Sequence, residues 1–289
     1  MGGRVIAAIP ARLGSVRLAR KPLLPIGGQP MVAHVVRAAR AARLVDRVVV
    51  ATDDEQIAAA ARLAGAEAVL TARELPSGTD RVAAALRALP AASADDVVVN
   101  VQGDEPCIAP SAIDLAVEAL LTRPEADMST LSAPVQLRDL LDPSKVKVVC
   151  ARGATPPQRG PAAVGRALFF SRSAIGVDRE LLERMLKSRF SRSSAEDDIL
   201  AAMPRTNGPS HICRLHVGVY AFRYAALQRF VALPPSPLEV AERLEQMRAV
   251  EAGMCIVVAE VTQHSRGVDT QEDLDAIRRE LERTGSTLL

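Results

Sequence analysis

Four cations crowd into ten residues near the start of the chain: Arg12, Arg17, Arg20 and Lys21, within Pro10-Ala-Arg-Leu-Gly-Ser-Val-Arg-Leu-Ala-Arg-Lys-Pro22. Guanidinium forks match pairs of phosphate oxygens, and an ammonium offers a compact point charge. Gly14 and Ser15 let the backbone come close to such oxygens. The set suits a triphosphate; the plain alternative is a solvated basic loop. Two aspartates could complete the chemistry. Asp104 stands in Gln102-Gly-Asp-Glu-Pro106, where Gly103 permits a turn, and Asp269 stands in Gly267-Val-Asp-Thr270. Mg²⁺ takes one or two carboxylates and fills its shell with phosphate oxygens and water. Read alone, Asp104 is first of all a turn residue bonding its own backbone, and Asp269 a cap for the helix that follows.

These side chains need elements to hold them. Val5 to Ile9 is a short apolar run closed by Pro10, which predicts a buried strand. Val32, Val35, Val36 and Ala39 then recur at helical spacing behind Pro30. Strands are expected at 47–51, 66–70 and 97–101, and helices opened by Asp53-Asp-Glu55, at 78–89 and at 110–121. Strand and helix alternate four times, the pattern of βαβ units on a parallel sheet. In such sheets ligands bind beyond the carboxyl ends of the strands, where the basic loop and Asp104 fall.

The second half is less regular. A strand pair is expected at 145–150 and 166–170, with a Pro- and Gly-rich loop at 152–163 between them. Residues 187–209 carry no period and read as a mobile loop that closes over the site. A strand is predicted at 214–222, then a helix opened by the capping box Ser236-Pro-Leu-Glu239 and running to about Ala252. A strand at 255–261 and a helix from Thr270 finish the chain, which shows no internal repeat. The fold class expected is α/β: a mostly parallel Rossmann-like sheet flanked by helices, with a smaller mixed β region.

Bulk properties exclude several functions. A net charge of +2, from 36 basic and 34 acidic residues, gives no global field for nucleic acid. Aromatics at 2% supply few base-stacking platforms. Cys107, Cys150, Cys213 and Cys255 include no CxxC pair, so zinc and redox chemistry lack support and reduced thiols are expected. The amino-terminal apolar run is too short for a signal core or a membrane span, and Ile6 stands where myristoylation wants Ser or Thr. A cytoplasmic protein with no membrane partner is expected. Neither GxxxxGK[ST] nor GxGxxG is present in the opening loop.

The loop instead resembles another pattern. Ile9-Pro-Ala-Arg12-x-x-Ser15-x-Arg17-Leu-x-x-Lys21-Pro-Leu is similar to the opening motif of the 3-deoxy-D-manno-octulosonate (Kdo) cytidylyltransferases, the CMP-Kdo synthetases. Further stretches match in order: 50–54, Ser77-Gly-Thr-Asp-Arg81, 99–106, 167–172, His216-Val-Gly-Val-Tyr220, 244–246 and 267–270. The resemblance covers most of the chain. It departs where the family carries Pro-Gly before the loop lysine and this chain has Ala19-Arg20, and where Leu215 replaces a common Arg or Lys.

The resemblance implies a fold of the nucleotide-diphospho-sugar transferase type and transfer of CMP from CTP to the anomeric hydroxyl of Kdo. Pyrophosphate is released, and the product serves lipopolysaccharide or cell-wall polysaccharide synthesis. It implies nucleotide contacts from Pro10, Ala11, Arg12, Ser15, Lys21, Ser77, Gly78, Thr79, Arg81 and Gln102. Arg12, Arg17, Lys21 and Asp104 become catalytic, and Asp104 and Asp269 become ligands of Mg²⁺. Sugar contacts fall to Gln102, Arg172, His216, Tyr220, Glu245 and Gln246; Arg172 and His216 both remain open as donors to the sugar carboxylate. The whole chain, 1–289, reads as one nucleotidyltransferase domain, with a nucleotide-binding half at 1–135 and a sugar-binding, dimerising half at 136–289. A homodimer is implied. Rival readings are a synthetase for sialate or 8-amino-Kdo, a non-catalytic nucleotide-binding protein, and an RNA-binding protein.

Overall fold

The central strands are rich in Val and Ala because helices cover both of their faces. In a computed structural model the described residues are 3–14, 18–89, 93–151, 163–180, 182–183, 213–262 and 267–284. The chain opens with β1 (Val5–Ala11), a 3-10 turn at Lys21–Leu23, the two-residue strands β2 (Pro25–Ile26) and β3 (Gln29–Pro30), and α1 (Met31–Ala41). It continues through β4 (Arg47–Thr52), α2 (Glu55–Leu63), β5 (Glu67–Leu70), α3 (Gly78–Ala88), β6 (Val97–Asn100), α4 (Pro110–Leu121) and β7 (Met128–Ala133). The short α5 (Leu137–Leu140), β8 (Lys147–Ala151), β9 (Ala163–Ser171) and β10 (Cys213–Arg223) follow. Last come α6 (Tyr224–Ala232), α7 (Pro237–Glu242), α8 (Gln246–Glu251), β11 (Ile256–Glu260) and α9 (Gln271–Thr284).

One nine-stranded sheet runs β5-β4-β1-β6-β10-β7-β11-β9-β8, with β8 also pairing to β10. The first four strands are parallel, whereas β10 is antiparallel to both β6 and β7. The extra pairing closes β10, β7, β11, β9 and β8 into a ring. β10 serves both parts because its register shifts between Val217 and Tyr220. Side chains of β1 alternate across the sheet: Val5, Ala7 and Ile9 pack with α1, α2 and α4, while Ile6 and Ala8 pack with α3.

The expected strands and helices of the first half are present, with three differences along the chain. Pro10 does not close β1; the strand continues to Ala11. The Arg4 and Ala8 carbonyls accept from Val97 and Val101, so even-numbered residues face β6, and β6 ends opposite Ala8. The missing N–H of Pro10 therefore points where no ladder partner exists. β7, α6 and the short β2, β3 and α5 were not expected. Met-Ser-Thr-Leu-Ser-Ala lacks an apolar pattern, yet β7 is wholly buried. Ser129 donates to the Ala116 carbonyl at 2.6 Å, and the Thr130 hydroxyl lies 2.9 Å from the Val219 carbonyl. Hydrogen bonding thereby removes the cost of burying those hydroxyls.

The third difference is the helix expected from Ser236 to about Ala252. It breaks at Arg243, a left-handed residue with φ 54°, into α7 and α8. The capping box is present, with the Ser236 hydroxyl accepting from Glu239 N at 3.2 Å. The break buries Leu244 and turns Glu245 inward against α3. The loop expected at 187–209 lies outside the described residues, as does the loop at 152–163 up to the start of β9.

Candidate active site

A cavity of about 390 Å³ opens beyond the carboxyl ends of β1 and β6. Pro10 and Ala11 line it from the end of β1 and Arg12 from just beyond, Lys21 and Pro22 from the 3-10 turn, and Ser77, Gly78 and Arg81 from the cap and first turn of α3. Gln102, Gly103 and Asp104 line it from the segment after β6, and Asp269 from the segment before α9. Close packing sets two of these positions. A Cβ on Gly103 would lie 2.6 Å from the Pro10 carbonyl oxygen, so only glycine fits under the end of β1. A Cβ on Gly78 would lie 3.2 Å from the Pro10 ring.

Lys21 draws the two distant aspartates together. Its Nζ donates to Asp104 Oδ2 at 2.7 Å and to Asp269 Oδ1 at 3.2 Å. The Val268 N–H donates to the Asp104 carbonyl at 2.9 Å and ties their segments side by side. Thr270 and Asp273 cap α9 between themselves: Asp273 N donates to the Thr270 hydroxyl oxygen, and Asp273 Oδ2 accepts from Thr270 N. The Asp269 carboxylate thus faces Lys21 while its neighbours perform the capping. Arg20 precedes Lys21 in the left-handed region, with φ 55°, where glycine would sit without strain. Its guanidinium donates to Gln56 Oε1.

Arg12 is exposed at the cavity rim, whereas Arg81 is only 2% exposed. The Ser77 hydroxyl caps α3 by accepting from Asp80 N at 3.1 Å, so capping and cavity lining coexist there. Arg81 Nη1 donates to the Thr71 hydroxyl oxygen at 2.6 Å and to the Ala72 carbonyl at 3.1 Å. Burial lowers its pKa, Asp53 opposes the shift, and Arg12 adds to it. Asp53 lies 4.0 Å from the guanidinium and accepts from Leu13 N at 3.1 Å. The sequence placed Asp53 only at the opening of a helix and within the matching stretch 50–54, not beside Arg81; its place just after a strand's carboxyl end was the available signal. Ser15 and Arg17 lie outside the described residues.

A second polar cluster lies behind this cavity. Asn100 Nδ2 donates to the Thr79 hydroxyl oxygen at 3.1 Å, and that hydroxyl donates to Glu245 Oε1 at 2.6 Å. Burial raises the pKa of Glu245, against hydrogen bonds from Thr79 and Ser77. Gln102 Nε2 sits 3.4 Å from Asn100 Oδ1, and Gly218 faces the Gln102 side chain. His216 and Tyr220 share a face, with ring centroids 5.4 Å apart. His216 Nε2 is 3.0 Å from the Thr130 hydroxyl, and Phe170 meets the imidazole edge-on at 5.1 Å. Burial raises the Tyr220 pKa, and nearby Glu245 adds to the shift. Gln246 is buried at the start of α8.

Arg172 is not brought to the first cavity. Its Nη1 donates to the carbonyls of Pro143 and Ser144 at 3.1 and 3.3 Å, and its N–H donates to Glu242 Oε2. Below it Lys147, fully buried, donates to the carbonyls of Asp142, Lys145 and Arg172. The alternation of β8 gave no warning of a buried lysine, because three carbonyls that are invisible in sequence satisfy it. Among the described residues no cluster of three or more His, Cys, Asp or Glu forms a closed metal site. None of the described helices is long and apolar enough to cross a membrane.

Known proteins resemble this chain in sequence and fold. Residues 6–256 match the family model described as cytidylyltransferase. The chain is 44% identical over 275 residues to the 3-deoxy-manno-octulosonate cytidylyltransferase of Anaeromyxobacter sp. (strain Fw109-5), covering 95% of this chain and 96% of that one. It is 45% identical over 276 residues to the enzyme of the same name from Xanthobacter autotrophicus (strain ATCC BAA-1158 / Py2), covering 95% and 92%. A solved structure of CMP:2-keto-3-deoxy-manno-octonic acid synthetase complexed with CTP superposes with a TM-score of 0.77 at 32% identity, over 98% of this chain and 100% of that one. A 4-diphosphocytidyl-2C-methyl-D-erythritol synthase, 14% identical over 97% of this chain and 99% of that one, shares the fold alone at a TM-score of 0.59.

Proposed function

The chain belongs to the cytidylyltransferase family, among its 3-deoxy-manno-octulosonate members, and from that premise we infer how its residues join CMP from CTP to Kdo. The triphosphate lies in the cavity beyond β1 and β6. Arg12 and Lys21 hold its non-bridging oxygens, and Arg81 and Asp53 fix the loops on either side. Backbone groups at Ser77 to Thr79 read the cytosine. The sugar lies toward Gln102, His216, Tyr220, Glu245 and Gln246, with its anomeric hydroxyl aimed at the α-phosphorus. A new bond forms from that hydroxyl oxygen to phosphorus, the bond to pyrophosphate breaks, and the hydroxyl proton leaves to water. Cationic side chains fixed before the reaction stabilise the charge that builds on the phosphoryl oxygens.

Asp104 and Asp269 fit a magnesium ion. Both already turn an oxygen toward one cation, Lys21 Nζ, at 2.7 and 3.2 Å. Two hard oxygens leave the remaining positions to phosphate and water, as Mg²⁺ prefers. When bound there, magnesium supplies positive charge against the triphosphate. The convergence of Lys21, Asp104 and Asp269 on one cavity is the observation that carries this reading.

Arg172 is engaged by the 143–144 turn and His216 by the Thr130 hydroxyl, so both stay open as donors to the sugar carboxylate. The protein works as a homodimer through the 166–220 region, and the cytoplasm, with its reduced thiols and CTP, is its setting. Sedimentation showing a monomer at micromolar concentration would remove the dimer. Pyrophosphate release from CTP with Kdo, sialate or 8-amino-Kdo, with and without Mg²⁺, tests the rest. Release with Kdo that depends on Mg²⁺ is expected; release with sialate alone would overturn the sugar assignment.

A further inference from the structure

Lys21 stands where a divalent cation would have to stand. Its Nζ is 2.7 Å from Asp104 and 3.2 Å from Asp269, and the residue is 9% exposed. The two aspartate side chains are 42% and 55% exposed, so the cavity reaches the carboxylates more readily than the ammonium between them. We propose that Lys21 is an internal placeholder: its ammonium occupies the gap between Asp104 and Asp269 and keeps divalent metal out until a nucleoside triphosphate takes the ammonium over. This rests on reading the two aspartates as metal ligands.

The backbone gives Lys21 little freedom to retreat. Arg20 holds the left-handed region before it, and Pro22 restricts its own φ and ψ. Swinging into the cavity takes the side chain away from the carboxylates and toward a wall that already carries Arg12 and Arg81. Without an anion there, that move brings like charges together and gives up two ion pairs. A triphosphate reverses the balance, because its oxygens accept the ammonium while the freed carboxylates accept the metal. Metal and nucleotide binding are therefore coupled, each raising the affinity for the other by one factor.

Binding of Mn²⁺ to the full, nucleotide-free chain, followed by the electron-spin resonance signal of the free ion, tests this. Wild type should bind weakly, and Lys21→Met and Lys21→Gln on the order of tenfold more tightly. In wild type the Lys21 Nζ NMR resonance should stay put with Mg²⁺ alone and move when CTP is added with it, a readout that needs no folded variant. Equal Mn²⁺ affinity in wild type and Lys21→Met, or movement of the resonance with Mg²⁺ alone, overturns the placeholder. Adding Asp104→Asn to Lys21→Met should abolish the tighter binding. If tight binding survives in that double variant, the ligands lie elsewhere and the metal reading itself falls. If it disappears while wild type already matches Lys21→Met, only the placeholder falls.

Discussion

Replacing Glu239 by Gln tests whether the broken helix sets the sugar side of the site. Glu239 faces Arg248 in a two-pronged ion pair, Nη2 to Oε1 at 2.6 Å and Nε to Oε2 at 2.8 Å. Arg248 is buried, lies 5.1 Å from the Phe230 ring centre and donates to the Leu233 carbonyl at 3.2 Å. Glutamine can still serve the capping box, so the substitution reports the ion pair rather than the cap. Removing one partner of a buried pair costs about 3–5 kcal/mol. Here the amide keeps one acceptor and the aromatic face remains, so a loss of about 2–3 kcal/mol in urea unfolding is expected. Arg248→Met should cost a similar amount, and the double variant less than the sum, by about 2 kcal/mol. The dependence on pH has a definite sign. Burial alone would raise the Glu239 pKa, but the hydrogen bonds from Arg248 and Ser236 and the Arg248 charge hold it below the ordinary 4.5. The stabilisation is thus complete above that value and fades as pH falls through the lower, folded-state value. The gap between wild type and Glu239→Gln should narrow in the same acid range. Because Glu245 and Gln246 stand just ahead of Arg248, KM for Kdo should rise while KM for CTP holds. A stability loss under about 0.5 kcal/mol, typical of a solvated pair, would refute the reasoning.

Three further outcomes are expected. Asp104→Ala should fold normally, since its carboxylate is half-exposed, yet lose pyrophosphate release by roughly a thousandfold; substantial activity would remove its metal role. Gly103→Ala places a methyl 2.6 Å from the Pro10 carbonyl, and the shift it forces should cost about 1–3 kcal/mol of stability and raise KM for CTP. Arg20→Gly and Arg20→Ala both lose the Gln56 contact, but only glycine relieves the left-handed backbone. In melting experiments the glycine variant should therefore be the more stable by about 1 kcal/mol, and equal stability would show that φ 55° carries no strain.

The parallel half was legible because its strands are short, mostly apolar runs, each followed by a capped or Pro-opened helix. α4, expected at 110–121, has those bounds. The Lys21, Asp104 and Asp269 set was drawn from the family resemblance, since read alone Asp104 is first a turn residue and Asp269 a helix cap; the structure brings the three onto one cavity. What stayed hidden depends on partners distant in sequence. β7 reads as polar until the carbonyls that receive Ser129 and Thr130 are seen. The break at Arg243 has no Gly or Pro to announce it; it follows from the Glu239–Arg248 pair and the burial of Leu244. Asp53, Asn100 and Lys147 are ordinary residues in sequence, made specific by where Leu13, Thr79 and the 142–145 turn fall.

The two halves of the site meet on five residues. From Asn100 to Asp104 the chain leaves β6, which lies between parallel β1 and antiparallel β10, at the seam of the sheet. Each side chain there takes a different direction. Asn100 reaches back to Thr79 and so to Glu245, and Gln102 meets Gly218 on the His216 strand. Gly103 passes under Pro10, and Asp104 turns to Lys21. A purely parallel sheet would offer a cleft for the nucleotide alone at this point. Inserting β10 beside β6 places a second polar face against the same strand end, within reach of whatever the first cavity holds. The bulge between Val217 and Tyr220 lets one strand complete the ring with β8 and still pair with β6. Joining an acid sugar to a nucleotide requires both substrates at one phosphorus, and among the described residues this seam sets two polar faces side by side at one strand end.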